Sequence, residues 1–167
     1  MQKNRKHLSF YYETTENFPE PKVNPKKTAL LIVDMQNEFV LRDFGEALEF
    51  KAMGEWERWI PFHDRLDDVV IPNTQKLLKF FRDNNLTVTF GRIACLREDG
   101  EDRSPVQKSE GWNNMLMPVN GFAAQMIDEL APMENEIIVN KTTDSVTTGT
   151  NYLTLLRFMG IETVVVT

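Results

Sequence analysis

Apolar and polar positions fall in blocks along this chain, and the period of the pattern changes from block to block. From Thr28 the run ALLIV is continuous and closes on Asp34, as in a short strand buried on both faces. The segment PNTQKLLKFFRDNN carries Leu77, Leu78, Phe80 and Phe81 at helical spacing and stops on two asparagines, which predicts an amphipathic helix over 72–85. LTVTFGRI predicts a second strand over 86–93. GFAAQMIDELAP predicts a helix over 121–132 ended by Pro132, and NEIIVNK a third strand over 135–141. TTGTNYLTLLRFMG predicts a helix over 147–160 stopped by Gly160, and IETVVVT a fourth strand over 161–167. Residues 40–66, rich in Trp, Phe and charge, read as an irregular insertion above the sheet. A charged loop containing REDGEDRSP reaches from the second strand to about Asn120. Strands alternating with single helices define an α/β protein with a parallel sheet.

Ahead of this domain, which spans 27–167, residues 1–26 are polar and aromatic with Pro19, Pro21 and Pro25 near their end. They read as an N-terminal arm lying on the body or on a partner subunit, or as a loose tail. At 167 residues the chain is the size of one domain. Its net charge of −6 is spread over interspersed acids and bases, which argues against nucleic acid or an anionic membrane as partner. No apolar run approaches the roughly 20 residues of a membrane span. The single cysteine, Cys95, excludes an intrachain disulfide and fits a reducing compartment, so a cytoplasmic location is expected.

Ligands of open parallel sheets bind beyond the carboxyl ends of the strands. Asp34 ends the first strand, Arg92 lies near the end of the second and Lys141 ends the third. An Asp directly after LLIV is desolvated, which is unfavourable unless it is paired or hydrogen-bonded. Capping of the following loop is its ordinary structural role, and Lys141 has one as a solvated residue at a strand's end. Together the two would face each other across one rim of the sheet, an arrangement that shifts pKa values and activates a third group.

TALLIVDMQNEF followed by VNKTTDSVTTGTNYLTLLRFMGIETVVVT resembles the isochorismatase-like cysteine hydrolases. Their characteristic segments are a strand ending in D-x-Q-x-x-F, then V-x-K-x-x-x-S, then a helix and G-I before an apolar strand. The resemblance runs from about Thr28 to Thr167 and is weakest across 40–70 and 95–120. It implies a Rossmann-like doubly wound sheet in three α/β/α layers, and an Asp, Lys and Cys triad that hydrolyses amides or related bonds. On that resemblance Asp34 is the base that takes the thiol proton, and Lys141 holds acid and thiolate in place. Gln36, Phe39 and Trp112 are candidate substrate contacts, with core packing or surface exposure as the alternative for each.

The resemblance places the nucleophile a few residues past the fourth strand, in a G-x-x-T-x-x-C-V turn. Cys95 instead follows the second strand and reads as an ordinary small residue at a strand's end. The expectation is therefore a chain incomplete at its C-terminal side, with no nucleophile of its own. An apolar fourth strand left at a sheet edge without charge, proline or covering helix supports the same expectation. Further polypeptide or a partner subunit would cover it, and the family commonly forms dimers or tetramers. The alternative is a non-catalytic isochorismatase-like binding or scaffold protein. ACLREDGEDRSP lacks the histidines that zinc-dependent relatives carry after the second strand, and His7 and His63 have no ligand spacing, so neither metal nor cofactor is expected. Thr147 stands where an aromatic often follows the family's Ser. The layout most resembles amidohydrolases acting on small ureido or carboxamide compounds, such as ureidoacrylate or biuret hydrolases. A dehalogenase-type phosphatase would need an acid where Gln36 stands, and no G-x-G-x-x-G follows any strand.

Overall fold

The structure, a computed structural model, describes residues 9–15, 22–111 and 113–167. Four strands, β1 (Thr28–Val33), β2 (Thr87–Ile93), β3 (Ile137–Lys141) and β4 (Thr163–Val166), form one sheet in the order β3-β2-β1-β4 with every pairing parallel. Chain order reverses at β1: β2 pairs on one side of it and β4 on the other, as the doubly wound topology requires. The helices are α1 (Asn37–Val40), α2 (Glu46–Ala52), α3 (Trp56–Arg65), α4 (Ile71–Asp83) and α5 (Tyr152–Phe158).

Side chains of β1 alternate between two cores, which is what makes its sequence read as an unbroken apolar run. Leu30 and Ile32 join Val88, Phe90, Leu78 and Phe81 under α4, while Ala29 and Leu31 join Val139, Tyr152 and Leu156 under α5. The result is a three-layer α/β/α sandwich. α4 ends where Asn85 takes a left-handed conformation, φ 52°, a role Asn fills at low steric cost.

Three elements differ from the sequence reading. Much of 40–66 is helical, in α2 and α3 joined by turns: Trp56, Trp59, Ile60 and His63 line one side of α3, a helical period that Pro61 and the dense aromatic content disguise. A π-turn over Leu66–Val70 carries α3 directly into α4. The expected helix over 121–132 is a run of turns over 121–125 followed by a single 3-10 turn at Asp128–Leu130. Its main chain is claimed by the loop after β1: Asn37 donates to the Gln125 carbonyl at 2.9 Å, Glu38 to Ala123 at 3.3 Å, and Ile127 to Met35 at 3.0 Å. Tertiary pairing here overrides local helix propensity.

The third difference is the start of α5. Hydroxyl groups intercept the backbone N–H groups that a longer helix would use. Ser145 Oγ accepts from Thr147 and Thr148, and Thr150 Oγ1 accepts from Tyr152. Within the arm, Phe10–Tyr12 form one exposed 3-10 turn. Residues 1–8 and 16–21 lie outside the described residues, as do the expectations for them. No helix among the described residues is long and apolar enough to cross a membrane.

Candidate active site

Asp34 leaves β1 with its backbone in the left-handed region, φ 54°, while its N–H still donates to the Gly91 carbonyl at 2.9 Å. This turns the side chain out of the ladder and over the carboxyl end of the sheet. Lys141, the last residue of β3, lies two strands away and is completely buried. Its long side chain spans the intervening strand, and Nζ donates to Asp34 Oδ2 at 2.7 Å. β2 contributes Gly91 to the same face. A Cβ there would stand 3.1 Å from Val146 Cγ2, so glycine lets the loop after β3 settle onto the strand.

The pair is electrostatically asymmetric. Burial pushes the Asp34 carboxyl above its ordinary value of 3.8, the Lys141 ammonium opposes this through hydrogen bond and charge, and Asp144 adds a smaller push upward. Asp34 Oδ1 is buried and has no hydrogen-bond partner among the described residues. A carboxylate held by a cation through one oxygen, with the other oxygen unengaged and raised proton affinity, can accept a proton from a third group.

Gln36 is fully buried beneath this pair. Its Nε2 donates to the carbonyls of Ile93 and Ala124 at 2.8 and 3.1 Å, and its Oε1 accepts from the Ile93 N–H at 2.8 Å. Both amide protons are thus held by main chain. Phe39 packs between two core clusters and borders a cavity of about 320 Å³ lined also by Glu38, Glu46, Glu49 and Met115. Burial and mutual repulsion raise the Glu38 and Glu46 pKa values. Neither Asp34 nor Lys141 lines that cavity. Trp112 lies outside the described residues.

Arg92 is buried on the opposite face of β2, where Nε donates to Asn140 Oδ1 at 2.7 Å and Nη1 to Gln125 Oε1 at 2.8 Å. Cys95 is buried beyond β2 with its main chain paired to Met117 and Val119. Burial and the nearby Asp102 push its thiol pKa up, the reverse of what activates a nucleophile. Sequence reasoning missed Asp144, whose carbonyl is a second acceptor for Lys141 Nζ at 3.3 Å. Its position three residues past the lysine was the available signal.

A strand-end acid joined to a strand-end lysine on a β3-β2-β1-β4 sheet is accompanied by a match to the isochorismatase domain over residues 28–167. The chain belongs to the isochorismatase family, whose members are hydrolases and include amidohydrolases. It is 27% identical over 163 residues to ureidoacrylate amidohydrolase RutB of Pseudomonas syringae pv. syringae, covering 89% of this chain and 62% of that protein. An isochorismatase family protein from Desulfovibrio vulgaris superposes with a TM-score of 0.60 at 28% identity, over 85% of this chain and 67% of that one. N-carbamoylsarcosine amidase from Thermoplasma acidophilum gives a TM-score of 0.58 at 26% identity, over 84% and 66%. The chain spans about three-fifths of the length of the curated relatives it matches.

Proposed function

We propose that this chain carries the acid and the lysine of a cysteine hydrolase. The enzyme cleaves a C–N bond of a small amide or ureido compound, and its nucleophile is a thiol other than the buried Cys95. The observation that carries the reading is the Lys141 Nζ to Asp34 Oδ2 contact at 2.7 Å, with Oδ1 left to accept a proton. The likeness to two amidohydrolases supports the bond type.

In this mechanism Asp34 Oδ1 takes the thiol proton, and the thiolate adds to the substrate carbonyl carbon. Lys141 stabilises the negative charge on both. The C–N bond then breaks, the leaving nitrogen takes the proton from Asp34, and a thioester remains. Asp34 next accepts a proton from water as the water oxygen attacks the thioester; the C–S bond breaks, the acid leaves, and Asp34 returns the proton to the thiolate. Gln36 acts from beneath, holding the loop that presents Asp34.

The test uses a catalytically active form of the protein that contains residues 1–167. Asp34→Asn and Lys141→Ala are each expected to lower kcat about 10²–10⁴-fold in a folded protein. Near-wild-type turnover in either variant removes that residue from the mechanism. Rigorously pure 1–167 is expected to show no turnover, and hydrolysis by it would overturn the exclusion of Cys95 as nucleophile. An intact protein with no thiol near Asp34 would favour a non-catalytic binding role.

A further inference from the structure

The Lys141 ammonium has three protons, and the described residues give it two acceptors, Asp34 Oδ2 and the main-chain carbonyl of Asp144. Asp144 belongs to the turn after β3, and its carboxylate is exposed and would sweep freely if nothing held it. Gln107, from the long loop after β2, holds it: Nε2 donates to Asp144 Oδ1 at 3.0 Å across 37 residues of sequence. Gln107 is almost completely buried and is itself fixed. Its N–H donates to Ser104 Oγ at 3.2 Å, and its carbonyl accepts from Arg103 Nη1 at 2.9 Å. Ser104 N–H in turn donates to the carbonyl of Thr142, the residue after the lysine, at 2.7 Å.

The amide has one sensible orientation, because only its nitrogen can face a carboxylate. That orientation leaves Gln107 Oε1 buried without a donor among the described residues. An unsatisfied buried acceptor is unfavourable, and leucine or methionine would fill the same space without it. A polar side chain kept at such a site, with its one productive contact on the lysine's turn, points to a role beyond packing.

We propose that Gln107 and Asp144 are positioning residues for the Asp34–Lys141 pair. The Gln107 amide grips the Asp144 side chain, and the Asp144 carbonyl thereby stays where it accepts a hydrogen bond from the Lys141 ammonium. Lys141 is then held from two sides and cannot drift off Asp34. Its importance to turnover rests on the hydrolase reading above, but the contact itself is measurable without turnover.

The experiment is NMR on isotopically labelled 1–167. It reads the Lys141 side-chain ammonium signal, visible only when proton exchange is slow, and the titration of the Asp34 carboxyl carbon. Asp144→Asn and Asp144→Leu both remove the charge at an exposed position, and an unchanged backbone amide spectrum establishes that each stays folded. Only Asn keeps an acceptor for Gln107 Nε2. Asp144→Asn is expected to retain the ammonium signal and Asp144→Leu to lose it, with Asp34 titrating higher in the Leu variant than in the Asn variant. Gln107→Met should likewise lose the ammonium signal while keeping the Asp144 charge. If that variant does not fold, the two Asp144 variants decide alone. Superimposable behaviour of Asp144→Asn and Asp144→Leu would overturn the proposal. The two readings separate cleanly. If Asp34→Asn abolishes turnover while the Asp144 variants agree, the hydrolase stands without the tether. If the Asp144 variants differ while Asp34→Asn turns over normally, the tether stands without the hydrolase.

Discussion

Asp34 and Lys141 share one hydrogen bond but not one environment: the lysine side chain is 1% exposed and the aspartate side chain 32%. Burial nevertheless dominates at the acid and raises its pKa above the unfolded value of 3.8. Just above that pH the native state therefore still binds a proton that the unfolded state has released. Stability consequently falls as pH rises through the window between the two values. Asp34→Asn removes this term and keeps an acceptor for Lys141. Its stability relative to wild type should start near zero below pH 3.8 and grow in its favour until the pH passes the raised value. Urea denaturation of both proteins at stepped pH checks this, and a constant offset would contradict it. A site residue whose loss stabilises the fold is the expected trade between stability and activity.

Elements that rest on local pattern were legible, and those made by tertiary claims on the backbone were not. The four strands and α4 could be read from periodicity because each presents its own apolar surface to a core. GFAAQMI could not, since its carbonyls serve the loop after β1 and Gln36 rather than a helix. The strand-end acid and lysine were legible for the same reason as the strands. Gln107 was not, because it sits in an aperiodic loop and its partner is remote in sequence. Gln36 shows how much the site's floor depends on one side chain. Gln36→Leu leaves the Ile93 N–H and carbonyl short of partners inside the protein and the Ala124 carbonyl with only Arg92 Nη1, at 3.4 Å. A loss of at least about 2 kcal/mol is expected, read from the denaturation midpoint at unchanged slope.

At the scale of the molecule, the sheet has one well-covered middle and an open side. β4 is an edge strand, and Val166 is 65% exposed there. Edges of this kind pair with other chains unless charge or cover prevents it. Association of 1–167 in sedimentation should therefore be concentration-dependent, and Val166→Lys should reduce it without lowering the melting temperature. If the Lys variant associates as wild type does, self-association runs through another surface. Exposed Phe158 and Leu153 on α5 offer one.

The left-handed backbone at Asp34 governs how any substitution there can be interpreted. Most side chains resist that conformation by roughly 1–2 kcal/mol, while Asn and Asp accept it. Asp34→Ala would mix a backbone penalty with the loss of the carboxylate, and Asp34→Gly would free the turn altogether. Asn alone changes the chemistry and leaves the geometry. The position therefore admits a narrow set of replacements on conformational grounds before any question of reactivity arises, and an unchanged acid here reports on shape as well as on chemistry.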